Sequence, residues 1–125
     1  MARWIVDGMN VIGSRPDGWW RNRPKAMARL LADLERFAET GEDVTVVFDQ
    51  PAPLRSDNVK IVFARRRGPN AADDEIARIV ADDPDPGSLR VVTSDRGLEA
   101  RVQEHDAEVI GAAAFRRRLE SRTAP

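Results

Sequence analysis

The chain has 125 residues, 42% of them hydrophobic and 33% charged, with 20 basic against 21 acidic side chains. That length predicts one domain, residues 1–125, able to bury roughly two-thirds of its unfolded surface, and the apolar content excludes a disordered chain. Cysteine is absent and His105 is the one histidine, so a disulfide framework, a thiolate zinc site, a Cys nucleophile and a Ser-His-Asp triad all lack their parts.

Apolar runs alternate with helical stretches. Arg3-Trp4-Ile5-Val6 reads as a first strand ending at Asp7-Gly8. Residues 14–24 carry Ser, Pro, Asp, Gly and Arg and read as a loop, with Pro24 suited to the first turn of a helix. Met27, Leu30, Leu31, Leu34 and Phe37 recur at three and four, which predicts one buried face on a helix from Ala26 to Phe37, stopped by Thr40-Gly41. Val44 to Phe48 is a second strand, stopping at Asp49. Gln50-Pro51-Ala52-Pro53 cannot continue a sheet interior. Val59 to Ala64 is a third strand, placed near an edge by its partial alternation. The link between these two strands has no evident helix and is the weakest part of the pattern.

Arg65-Arg66-Arg67-Gly68-Pro69 reads as a loop. Asn70 suits an N-cap, with Asp73, Asp74 and Glu75 in the first helical turn, where acids favour the dipole. Ile76, Ile79 and Val80 form that helix's stripe. Asp82-Asp83-Pro84-Asp85-Pro86-Gly87 breaks the chain and is expected to be a solvated loop. Leu89 to Thr93 is a fourth strand ending at Ser94-Asp95. Gly97 to Glu104 is a short helix, Glu108-Val109-Ile110 a fifth strand, and Ala112 to about Glu120 a last helix before a short tail. Strands separated by helices predict a three-layer α/β/α domain, with a mostly parallel central sheet of about five strands.

Three strands thus end in aspartate: Asp7, Asp49 and Asp95. In an open α/β sheet the ligand crevice lies outside the carboxyl ends of the strands. If strands one, two and four are neighbours, their carboxylates converge there, and Asp73 and Asp74 begin a helix at the same edge. Clustered acids repel, and a hard divalent cation removes that cost. Magnesium takes oxygen ligands and keeps several waters, so the scarcity of His and Cys is no obstacle. For Asp74 and Glu75 individually a solvated or capping role is the simpler expectation. Asn10 can hold a carboxylate or a water in place, Gly8 permits a sharp turn, and Ser94 can donate to phosphate.

Val6-Asp7-Gly8-Met9-Asn10-Val11-Ile12-Gly13 resembles the opening of the NYN domains, a branch of the PIN-like nuclease superfamily, and most of all the YacP-type branch. Val46-Val47-Phe48-Asp49, Asn70-Ala71-Ala72-Asp73-Asp74-Glu75-Ile76 and Val92-Thr93-Ser94-Asp95-Arg96 follow in order, so the resemblance spans about residues 3–115. It implies a PIN-like fold and magnesium- or manganese-dependent endoribonuclease activity. Carried over by position, Asp7, Asp73 and Asp95 match the acidic metal-binding set and Asn10 its polar partner. Asp49 and Asp74 are further candidates. The chain departs from the family where Asp74 follows Asp73 in place of Ser or Thr. Some YacP-type proteins act on ribosome-associated messenger RNA; the resemblance implies RNA as the partner, with such messages one candidate.

All basic residues except Lys25 and Lys60 are arginine, whose planar fork suits phosphate. A net charge of -1 argues against bulk adhesion to nucleic acid, so binding requires a local patch. Arg21, Arg23, Arg65, Arg66, Arg67 and Arg96 lie on the carboxyl-end side as candidate phosphate contacts. Trp19 and Trp20, in the first polar loop, are candidates for stacking unpaired bases, with folding back onto the core the alternative for either. Trp4 is expected in the core, His105 on the surface, and Arg116-Arg117-Arg118 on a solvated face. The expected mechanism is hydrolytic, with one or two metal ions held at the scissile phosphate by Asp7, Asp73 and Asp95 and water attacking in line. A nucleotide pyrophosphohydrolase on the same acidic edge, and a nonhydrolytic RNA- or ribosome-binding module on a nuclease scaffold, are the rival readings. No apolar run approaches the ~20 residues of a membrane span, and the first residues lack a signal-peptide pattern. A cytoplasmic protein without membrane contact is therefore expected. A phosphoacceptor receiver domain is disfavoured, because the paired acids after its first strand and the lysine after its last are missing.

Overall fold

A computed structural model describes residues 2–123, and side chains for residues 2–121. Met1 and the last two residues of the expected tail lie outside the described residues. The strands are β1 (Arg3–Asp7), β2 (Asp43–Phe48), β3 (Val59–Phe63), β4 (Leu89–Val92) and β5 (Glu108–Ile110), all parallel in the order β3-β2-β1-β4-β5. The helices are α1 (Gly8–Gly13), α2 (Arg23–Ala38), α3 (Ala71–Asp82), α4 (Arg96–Gln103) and α5 (Ala112–Thr123). The sheet is fully parallel, and β3 occupies the edge that its pattern suggests.

Burial of every residue from Trp4 to Asp7 in β1 and from Val46 to Phe48 in β2 follows from cover on both faces. On one face α1, α2 and α5 pack around Trp4, Leu34, Phe37 and Phe115. The Trp4 ring meets Phe37 edge-on at 5.2 Å and lies 5.4 Å from Phe115, and its indole N–H donates to Glu42 at 3.0 Å. On the other face α3 and α4 pack Ile76, Val80, Leu98 and Val102 onto Ile5, Val47 and Val91. Among the described residues no helix is long and apolar enough to cross a membrane.

The helix-free link between β2 and β3 is held by polar contacts to α2. Ser56 Oγ donates to Glu35 Oε2 at 3.0 Å and accepts from Val59 N at 3.1 Å, and Asn58 Nδ2 donates to the Glu35 carbonyl at 3.0 Å. Ala52 and Leu54 pack on the same cluster. The side chain and carbonyl of Glu35 on α2 thus anchor a link that has no helix of its own.

Several expectations are corrected. The segment after Asp7 turns at once into α1, and the expected loop contains a 3₁₀ turn over Trp19–Arg21. Asn70 precedes α3 but makes no side-chain capping bond. Asp83 is not a solvated loop residue: Arg3 grips it with two hydrogen bonds of 2.8 and 3.0 Å. The arginines of α5 are not all on a free face. Arg116 donates to Ser14 Oγ at 3.1 Å, and the Arg118 guanidinium lies 5.2 Å from the Trp4 ring centre.

Candidate active site

The order β2-β1-β4 makes the ends of strands one, two and four neighbours, as the acidic-edge reading requires. β1 delivers Asp7, only 4% exposed, into the crevice between α1 and β4. Gly8 makes this sharp entry possible. A Cβ at that position would stand 2.5 and 2.7 Å from Phe48 ring carbons, closer than any real contact, so α1 starts against β2 only because residue 8 has no side chain.

Asp7 is held by Thr93, a wholly buried residue just past β4, whose hydroxyl donates to Asp7 Oδ2 at 2.9 Å. The same Thr93 oxygen accepts from Asp95 N at 3.1 Å. Asp95 in turn caps α4, its Oδ1 accepting from Leu98 N at 2.9 Å. Asn10 Oδ1 accepts from Ser94 N at 2.8 Å, tying α1 to the same loop. Ser94 Oγ accepts from Ala112 N at 2.9 Å at the start of α5. One loop, residues 93–95, therefore fixes three of the predicted side chains. Thr93 itself was not singled out from the sequence; its only signal there is a hydroxyl at the point where an apolar strand meets Ser94-Asp95.

The electrostatics follow from this burial. Loss of solvent pushes the Asp7 carboxyl up to about 7. The Thr93 hydrogen bond opposes the rise, the charges of Asp73 and Asp95 add to it, and the Asn10 backbone N–H opposes it again. Asp73, near the start of α3, is also raised, first by burial and then by Asp95, with Arg101 opposing and Asp74 adding. Asp7, Asp73 and Asp95 thus form one electrostatic group.

Asp74 turns away: its carboxylate is exposed and paired with Arg101 at 2.8 Å. Asp49 stands just past β2 and pairs with Arg23 at 3.1 Å, and the leading charges acting on Asp7 are those of Asp73 and Asp95. The structure therefore brings together Asp7, Asn10, Asp73, Ser94 and Asp95, and sets Asp49 and Asp74 to either side with arginine partners. Glu75 is neither solvated nor a cap. Its side chain is 8% exposed, hydrogen-bonded to Arg78 and 3.8 Å from Arg65. It lies on the buried face of α3 with Ala71, Ala72 and Ile76, against the solvated or capping role expected.

The remaining candidates flank the acids. Arg65, Arg66 and Arg67 are exposed after β3; the first two, with Arg78, line a cleft of about 300 Å³ that also includes Asp74 and Glu75. Arg96 is exposed at the first position of α4. Arg21 and Trp20 are exposed, whereas Trp19 packs back against the core beneath Arg23. His105 is half-buried beside Ala77 and Arg101.

Among the described residues no group of three His, Cys, Asp and Glu side chains is arranged to hold a metal ion by itself. The donor set nevertheless fits a hard cation. Every candidate is an oxygen, and the group carries a carboxylate whose burial and neighbours penalise its charge. Magnesium and manganese use one or two carboxylates completed by waters and phosphate oxygens, so no protein-only cage is needed.

The sequence matches the family described as the YacP-like NYN domain over residues 4–124. No curated protein matches the chain. Two crystal structures of Rae1 (YacP) from Bacillus subtilis share the fold. One, of a point mutant, has a TM-score of 0.80 at 25% identity, covering 98% of this chain and 77% of that one. The other has a TM-score of 0.80 at 23% identity, covering 98% and 75%.

Proposed function

The chain belongs to the YacP-like NYN domain family, and from that premise we propose that it is a divalent-metal-dependent endoribonuclease, hydrolysing RNA at the acidic edge of the sheet. The observation that carries this reading is the convergence on one sheet edge of Asp7, buried and held by Thr93, with Asp73 and Asp95. A cation shared among the three would remove the cost of charging them together. Asp7, Asp73 and Asp95 are the residues that would hold magnesium or manganese. Bound there, the ion would activate water and neutralise charge on the phosphoryl oxygens.

The chain's own residues supply position. Thr93 fixes the Asp7 carboxylate and the Asp95 backbone through one oxygen. Asn10 holds the Ser94 backbone, and Ser94 Oγ, already accepting from Ala112, keeps its proton to donate to a phosphate oxygen. Arg96, exposed at the rim, and Arg65, Arg66 and Arg67 beyond β3 offset the repulsion between an acidic site and RNA phosphates. Arg23 acts indirectly, since Asp49 holds it. The setting that fits this reading is the cytoplasm, with messenger RNA, including ribosome-associated messages, as substrate.

The test is cleavage of single-stranded and structured RNA with manganese or magnesium, against excess chelator. We expect metal-dependent cleavage that Asp7→Asn and Asp95→Asn abolish in folded protein. Undiminished cleavage by either variant overturns the site. Hydrolysis of nucleoside triphosphates with RNA left whole would replace the reading by a pyrophosphohydrolase.

A further inference from the structure

Six of the seven aromatic side chains lie in or against the core, and one does not. Trp20 is 60% exposed, the one large apolar side chain that stands open among the described residues. It is not loosely held. It sits in the 3₁₀ turn Trp19–Arg21, entered through Gly18 at φ +71. The Trp19 ring meets it edge-to-face at 6.0 Å and 87°, and Trp19 is itself packed on the core. The Arg21 guanidinium lies 5.9 Å from the Trp20 ring centre.

Arg21, which reaches the Trp20 ring, also lines a neighbouring cleft of about 250 Å³ together with Trp19, Lys25 and Arg29 among others. Its walls carry three cations against one carboxylate, Asp17, which already sits 3.4 Å from Arg29. The cleft is coupled to the acidic edge through Arg23. That guanidinium hydrogen-bonds Asp49, at the end of the strand beside β1, and lies 6.0 Å from the Trp19 ring.

Resting on RNA as the substrate, we propose that Trp20 is a stacking platform for one unpaired base, whose flanking phosphates run through the Arg21-Lys25-Arg29 cleft, so that the protein selects single-stranded over duplex RNA. An open indole braced by Trp19, with cations nearby, matches a base with a phosphate on either side. Stacking tolerates any base because each has a π-face. In a duplex those faces are occupied by neighbouring bases, and recognition of RNA sequence falls on unstacked loops and ends. Trp19 serves as the buttress that holds Trp20 upright.

The experiment is binding without turnover, by fluorescence anisotropy in excess chelator. The probes are a short single-stranded RNA, a blunt duplex and a base-free ribose-phosphate strand. Trp20→Ala is expected to weaken single-strand binding by roughly 5- to 100-fold, with the base-free strand unaffected and Trp20→Phe close to wild type. Lys25→Ala should weaken single-stranded and base-free strands alike and reduce the salt dependence by about one ion. Unchanged single-strand binding in Trp20→Ala, equal loss on the base-free strand, or no RNA binding by the wild type would overturn the proposal. The two readings fail separately. Trp20-dependent binding without metal-dependent cleavage would sink the nuclease and leave the platform. Cleavage with Trp20-independent binding would do the reverse.

Discussion

Replacing Asp7 by asparagine should make the protein more stable while disabling it, and the gain should depend on pH. Burial and two neighbouring acids raise the Asp7 carboxyl from 3.8 to about 7. Each unit is worth about 1.4 kcal/mol. The folded chain therefore keeps a proton on Asp7, between about pH 4 and pH 7, that the unfolded chain has released. The protonated carboxyl's contribution is fully present below the unfolded value and is lost as pH rises through the folded one. Over that window the wild type loses on the order of 4 kcal/mol that an uncharged asparagine does not lose. Solvent entry and side-chain relaxation reduce this, so the advantage of Asp7→Asn should grow by about 2–4 kcal/mol from pH 4 to pH 8. For a domain of this size that is a shift in Tm on the order of 10 °C. The assay is thermal or urea unfolding of both proteins across pH, in chelator, with the difference plotted so that shared titrations cancel. Manganese at a hundred times its Kd should then restore about 2.7 kcal/mol to the wild type alone. A difference that stays flat with pH would refute the claim that burial raises the Asp7 carboxyl.

Other outcomes follow from the same geometry. Thr93→Val keeps shape but removes the donor to Asp7 and the acceptor for Asp95 N. It should cost about 1–3 kcal/mol by urea unfolding and lower metal-dependent cleavage about 10- to 100-fold; wild-type turnover would show that Thr93 does not position the acids. Gly8→Ala drives a methyl into the Phe48 ring and should destabilise by about 1–3 kcal/mol, with a neutral result in denaturation contradicting the close approach of α1 to β2. Asp73→Asn should abolish cleavage, whereas Asp49→Asn should leave it within a few-fold and change stability by no more than about 1 kcal/mol, since its pair with Arg23 is partly exposed. Equal losses in the two variants would place Asp49 inside the metal-binding group.

The elements themselves were legible because each carries its own period. Apolar runs such as Val44 to Phe48 can be satisfied only by burial on both faces, and the spacing from Met27 to Phe37 only by one helical face. The short helix α1 escaped notice because its six residues are too few to show a period. The β2–β3 link looked weak for a related reason: what holds it is a set of single polar contacts to Glu35, which no periodicity announces.

At the site, local motifs marked the acids but not their partners. The ends of strands one, two and four name Asp7, Asp49 and Asp95 alike. Chain topology then separates them, for Arg23 reaches Asp49 across 26 positions, while among the described residues Asp7 has no ion-pair partner. Thr93 meets Asp7 across 86 positions, and Arg3 meets Asp83 across 80. Whether a charged residue is solvated, paired or buried depends on what the fold brings beside it. Glu75 shows this most directly: an acid in a first helical turn reads as solvated or capping, and only the fold shows it buried against Arg78 and Arg65.

The sequence by itself determined an α/β domain with acids at the carboxyl ends of its strands, because hydrophobic periodicity and strand-end chemistry act over a few neighbouring residues. Only the tertiary structure decided which carboxylates share a site, which hydroxyl holds them and which tryptophan stands open. Those are distances between segments far apart in the chain, set by parallel pairing and by what each helix covers.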